Sequence, residues 1–200
     1  MEAQAALRRP RLRRAGRLLV ATRVIHPFPT ALIYHPDWAR GGAWWQPLTH
    51  PFVHVSFYHL LVDSVAFTWL LSELRTWSWS WRIAFSTAAG IGGIALSTLF
   101  APQSLDNGFC GLSALAHGLM TVVALDALRR ASLRPSCPAI PRPAILLAVL
   151  IIKCTVEVAS GNAFFAAWHL GNVGHPLPLA HVGGGLGADL VWAFIHLNPA

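Results

Sequence analysis

The sequence predicts an all-α polytopic membrane protein, and three observations carry that prediction. Hydrophobic residues make up 54% of the 200-residue chain against 12% charged, with a mean hydropathy of +0.50. A soluble globule of this size needs a polar shell that such a composition does not supply. The apolar residues gather into runs of about 17–21 residues, the length that crosses a hydrocarbon core as a helix. The positive charge, finally, falls between those runs rather than along them.

Taken in order, residues 1–17 form a basic segment, with Arg8, Arg9, Arg11, Arg13, Arg14 and Arg17. A first apolar stretch, 18–34, is a poor helix because Arg23, His26, Pro27 and Pro29 interrupt it. The same interruptions, with no small-residue cleavage site after them, argue against a cleavable leader. Five stronger spans follow at 53–73, 83–101, 111–128, 143–160 and 179–196. The loop before the fourth of these carries Pro135, Pro138 and Pro141, with Pro143 closing it, which stiffens the loop and ends any helix there.

Loop charge tests the number of crossings. If 18–34 crosses, the N-terminus, the 73–82 turn and the 128–142 loop share one side. Those regions hold nearly all the arginines outside the first segment, while the opposite loops are almost bare apart from Asp37, Arg40 and Asp106. Six crossings with a cytoplasmic N-terminus therefore satisfy the positive-inside rule. The alternative is an interfacial first segment and five crossings. Trp38, Trp44 and Trp45 on one side and Trp77, Trp79 and Trp81 on the other suit interfacial belts. The net charge of +7 is thus a topological signal. It is not patterned as a nucleic-acid surface, and no nucleic-acid partner is expected.

Ionisable side chains inside membrane helices are costly, which makes each a candidate site residue. Even-numbered segments all enter from the same, non-cytoplasmic side. That places His54 and His59 in the first turns of segment two, Ser113 near the start of segment four and His181 near the start of segment six. Gly183-x-x-x-Gly187 and Gly184-x-x-x-Ala188, facing Gly111, Ala114 and Gly118, are small-residue patterns that let backbones approach. A serine beside an imidazole is a nucleophile with its general base. The Ser113 amide, near a helix start, is a ready oxyanion donor, and His59 supplies a second.

The run Trp45-Gln46-x-x-Thr49-His50-x-x-x-His54-x-x-x-x-His59-x-x-x-Asp63, with Gly111-Leu112-Ser113 and Ala180-His181-x-x-Gly184, resembles the signature set of rhomboid intramembrane serine proteases. The resemblance spans 44–192. It implies a six-transmembrane-helix rhomboid-like bundle over 18–200, with Ser113 as nucleophile, His181 as general base of a dyad and His59 as oxyanion support. It implies membrane-protein substrates in a lipid bilayer, no cofactor, no metal, and placement in a bacterial inner membrane. The run Gly111-x-Ser113-x-x-x-His117-Gly118, together with Asp63, is similar to the rhombosortase subfamily, associated with processing proteins that bear a C-terminal Gly-Gly membrane anchor.

Three positions depart from the family pattern. Asp63 stands where asparagine is usual. Ionised, it only accepts hydrogen bonds and would orient His59 or favour its protonated form; protonated, it donates. Gln46 replaces the arginine of a Trp-Arg pair, which puts the bracing of the first loop in question. His117 replaces an aromatic one turn below Ser113, where it packs on or bonds to His181 or competes as base.

Other polar groups receive structural readings. Lys153 and Glu157, at i and i+4, form an ion pair, with substrate gating as the second reading. Asp126 and Asp189 are interfacial. Cys110, beside the motif, is a small packing residue. Two further functions compete with proteolysis. One is a catalytically inactive rhomboid-like protein that binds membrane clients; such relatives typically lack the serine or the histidine. The other is a metal or haem protein built on His50, His54 and His59, against which Pro51 breaks the helical spacing.

Overall fold

A computed structural model describes residues 29–133, 142–164 and 168–198. Most of the weak first segment, 18–28, lies outside the described residues. Its end is not α-helical: Thr30–Leu32 is a single 3₁₀ turn, and Tyr34 makes an antiparallel bridge to Phe109.

Six α-helices follow: α1 Gln46–Thr49, α2 Phe57–Glu73, α3 Trp79–Phe100, α4 Ser113–Ser132, α5 Arg142–Ser160 and α6 Pro178–Leu197. No strand is present among the described residues. The five long helices correspond to the five strong spans, with shifted ends. α2 begins at Phe57 rather than 53, because Ser56 accepts the His59 N–H at 3.0 Å and caps the helix. The segment before it bends away by 96°, so His54 lies before the helix and not in its first turn. α3 begins earlier than expected, at Trp79, where Ser78 caps it.

α3, α6 and the Pro143–Ser160 stretch of α5 are each long and apolar enough to cross a bilayer, and the bent pair Gln46–Phe52 with Phe57–Glu73 is so when taken as one span. α4 is less apolar, and its position explains why. It touches α2, α3, α5 and α6 and buries Ala114, Ala116, Gly118, Leu119, Thr121, Val122, Ala124 and Asp126. A helix enclosed by other helices does not need a lipid-compatible surface.

The small residues of α6 form two stripes with two partners. Gly183 and Gly187 pack on the α3 backbone at Gly92 and Ala88, while Gly184 packs on the Ala114 carbonyl of α4. Gly118 of α4 completes the seam against Ala89 and Ala188. Bilayers give little hydrophobic drive for helix association, so this close backbone approach supplies dispersion contact where it is needed. It also sets the start of α6 beside the start of α4.

At the other end of the bundle, Asp126 is buried and contacts Arg130, which also donates to Thr76 Oγ1 at 2.7 Å. Asp126 is thus paired and buried within the bundle near this end.

Candidate active site

The starts of α2, α4 and α6 and the end of α5 surround a cavity of about 450 Å³ whose walls include His59, Asp63, Ser113, His117, Lys153, Glu157 and His181. Ser113 is the first residue of α4. The first helical N–H bond of α4 runs from Ala116 to the Leu112 carbonyl at 2.9 Å, so the amides of the preceding turn, Ser113 among them, point outward from the helix end.

Gly111 builds this turn. Its φ of +106° suits glycine, and a Cβ there would stand 3.1 Å from both Asp63 Oδ2 and His59 Cε1. The Gly111 N–H donates to the His50 carbonyl at 3.0 Å. The next amide, Leu112, donates to Asp63 Oδ2 at 2.9 Å. The chain thus enters α4 with its backbone fastened to α2 and to the loop before it.

The α4–α6 seam places His181 Nε2 3.2 Å from Ser113 Oγ. The other ring nitrogen, Nδ1, lies 2.7 Å from Glu157 Oε2. His117 stacks flat on His181, with ring centroids 4.0 Å apart and planes 5° from parallel. Its Nδ1–H donates to the Ser113 carbonyl at 2.6 Å. Of the roles expected for His117, the geometry matches packing: no hydrogen bond to His181 forms, and one nitrogen is committed to its own helix.

Asp63 Oδ2 collects donors. Besides Leu112 N–H, the Nε2 atoms of His54 and His59 each lie 3.3 Å from it. Asp63 Oδ2 thus accepts the Leu112 N–H with two imidazole nitrogens close by. The His59 ring lies beside Asp63, and the edge-on contact of the His54 and His59 rings, 5.0 Å between centroids, holds that arrangement.

A family model for the Rhomboid domain matches residues 41–198. The chain belongs to the rhomboid family. It is accordingly a multi-pass integral membrane protein of an intramembrane protease family that acts on membrane-protein substrates. No curated protein and no solved structure matches it significantly.

Within this rhomboid chain the other departures resolve as follows. Gln46 is buried, and its Oε1 accepts the His35 N–H at 3.1 Å. Trp45 Nε1 donates to the Ala31 carbonyl and Thr49 Oγ1 to that of Leu32. The first loop is thus braced without the usual arginine. Cys110 is pushed up to about 11 by burial and by the Asp63 charge, which leaves it a protonated packing residue.

His50, His54 and His59 do not converge as ligands: His50 Nδ1–H is given to the Pro47 carbonyl at 3.1 Å, and the other two face Asp63. Among the described residues, the group spaced closely enough for a metal is His117, Glu157 and His181. The Lys153 ammonium already stands there, 2.8 Å from Glu157 Oε2 and 3.5 Å from His181 Nδ1.

Glu157 is the residue whose contact with His181 the sequence reading missed. The expected Lys153–Glu157 pair is present, but it shares its carboxylate with His181. The signal lay in the topology. Glu157 is three residues before the end of α5 and His181 three residues after the start of α6, so antiparallel neighbours bring them to one depth.

Proposed function

We propose that this rhomboid is an active intramembrane serine endopeptidase in which Ser113 is the nucleophile and His181 the general base. The observation that carries this is the 3.2 Å approach of Ser113 Oγ to His181 Nε2 in a cavity at one end of the bundle. Serine needs such a partner because its hydroxyl is hardly ionised at neutral pH. As Oγ attacks a substrate carbonyl carbon, its proton passes to Nε2 and the carbonyl electron pair collects on oxygen. The outward amides of the first turn of α4 face that charge. Expulsion of the amine takes the proton from His181, and water then releases the acyl group by the same steps.

Asp63, Gly111 and His59 support the oxyanion side by fixing the turn into α4, and His117 supports the base by stacking on it. The substrate is a transmembrane segment or membrane anchor of another protein. A helical substrate hides its carbonyls in hydrogen bonds, so small or helix-breaking residues favour unwinding into the cavity. The resemblance of the Gly111–Gly118 run to the rhombosortase subfamily favours anchors bearing a C-terminal Gly-Gly sequence. The arginine distribution favours an N-terminus in the cytoplasm, and the family resemblance favours a bacterial inner membrane. Ser113→Ala should abolish cleavage of a membrane-anchored reporter while expression is unchanged; retained cleavage sinks the assignment.

A further inference from the structure

We propose that Glu157 is a positioning residue of this site, so that the reactive unit is Ser113–His181–Glu157 rather than Ser113 and His181 alone. The inference rests on the serine-protease reading and concerns how that site is held ready.

The sequence alone presents Glu157 as half of a self-neutralising pair with Lys153. The structure gives it more partners than an ion pair uses. Its side chain is almost fully enclosed, at 2% exposure. Oε1 accepts the Phe164 N–H at 2.9 Å. Oε2 accepts from Lys153 Nζ at 2.8 Å and lies 2.7 Å from His181 Nδ1. Two unambiguous donors, one of them an ammonium 2.8 Å away, face its two oxygens, and a positive charge so close holds the group as a carboxylate.

That settles the histidine's tautomer. A carboxylate oxygen accepts only, so Nδ1 carries the hydrogen and Nε2 is left with a bare lone pair. Nε2 is the atom that faces Ser113 Oγ. Without Glu157, nothing at that distance distinguishes the two nitrogens except Lys153, 3.5 Å from Nδ1. An ammonium has only donors, so it would favour the opposite tautomer, with Nε2 protonated and unable to accept the serine proton. When that proton arrives, the imidazolium forms with an acceptor nearer to it than the ammonium. Glu157 thus opposes Lys153 both before and after the transfer. The Phe164 contact ties the carboxylate to the turn after α5, so its aim is set by two helices and a loop. In well-studied serine proteases a carboxylate in this relation to the histidine is worth about 10⁴ in kcat.

The test is reporter cleavage by purified full-length protein in proteoliposomes. It compares wild type with Ser113→Ala, Glu157→Met, Glu157→Gln, Lys153→Met and Lys153→Met/Glu157→Met. Methionine keeps the volume and removes the acceptor. Glutamine keeps one acceptor oxygen but no charge. With wild type active and Ser113→Ala dead, Glu157→Met is expected to lower kcat by about 10²–10⁴ with little change in KM. Glu157→Gln should also lose at least about tenfold, because its NH₂ can face Nδ1 and leave the wrong tautomer, and Lys153→Met should lose much less than Glu157→Met.

The double variant should stay as slow as Glu157→Met. If Glu157 only neutralises Lys153, the two single variants lose equally and the double variant recovers; that result overturns the proposal, as does wild-type kcat in Glu157→Met. Should Glu157→Met fail to fold, the glutamine variant decides: a kcat at least about tenfold below wild type at unchanged KM supports the role, and wild-type kcat refutes it. An inactive wild type would instead bring down the protease reading itself.

Discussion

Replacing Gly184 by alanine tests whether the α4–α6 seam sets the distance between nucleophile and base. A Cβ at Gly184 would stand 2.9 Å from the Ala114 carbonyl carbon, 3.1 Å from its Cα, and closer still to its carbonyl oxygen. Ordinary contact begins near 3.4 Å. All three obstacles are backbone, so no side chain can swing aside, and the helices must part by roughly 1 Å. Ala114 is the residue after Ser113, so the displacement is delivered almost directly to the 3.2 Å contact with His181. A misplacement of about 1 Å costs on the order of 10²-fold in rate, and overpacking of this kind costs about 1–3 kcal/mol in stability.

Gly185 is the matched control. A Cβ there meets nothing nearer than the end of the Thr121 side chain at 3.1 Å, so Gly185→Ala should remain within about 0.5 kcal/mol of the parent. The assay is reporter cleavage with thermal unfolding in the same detergent. Wild-type cleavage by Gly184→Ala, or equal losses in both variants, would refute the reasoning.

Two further outcomes follow from the same geometry. Asp63→Ala strands the Leu112 N–H and frees His54 and His59, and should cost about 1–3 kcal/mol with loss of cleavage; Asp63→Asn keeps an acceptor for Leu112 and should retain more of both, as melting and cleavage assays would reveal. Because Cys110 is raised to about 11, its thiolate fraction at pH 7 is about 10⁻⁴. Cys110→Ala should therefore cleave normally, and maleimide should label Cys110 in the native protein only as pH rises toward that value; rapid labelling at neutral pH contradicts the assigned environment.

The parts of this fold that were legible in the sequence are those that physics writes locally. Apolar runs gave the five long helices, since bilayer thickness fixes their length. Gly183, Gly184, Gly187 and Ala188 announced a close seam because only small residues permit one. Ser113 and His181 could be set at one depth by counting crossings. Helix starts were less visible: 53–56 is apolar enough to read as helix, yet the Ser56 cap and the bend after Pro51 delay α2 to Phe57.

The second partner of Glu157 was missed for a different reason. Its i,i+4 neighbour Lys153 offers a complete local explanation, and nothing local states that a third donor arrives from α6. For Asp63 the grip on the Leu112 amide depends on the Gly111 turn, which joins residues 49 positions apart and which no local pattern announces.

The central claim is that Ser113 is made nucleophilic by His181. Intact-mass and peptide mapping after treatment with a fluorophosphonate probe tests it most directly. The account predicts one adduct, on Ser113, that disappears in His181→Ala while the variant remains folded. An adduct on another residue, or labelling of Ser113 at the same rate without His181, would contradict it.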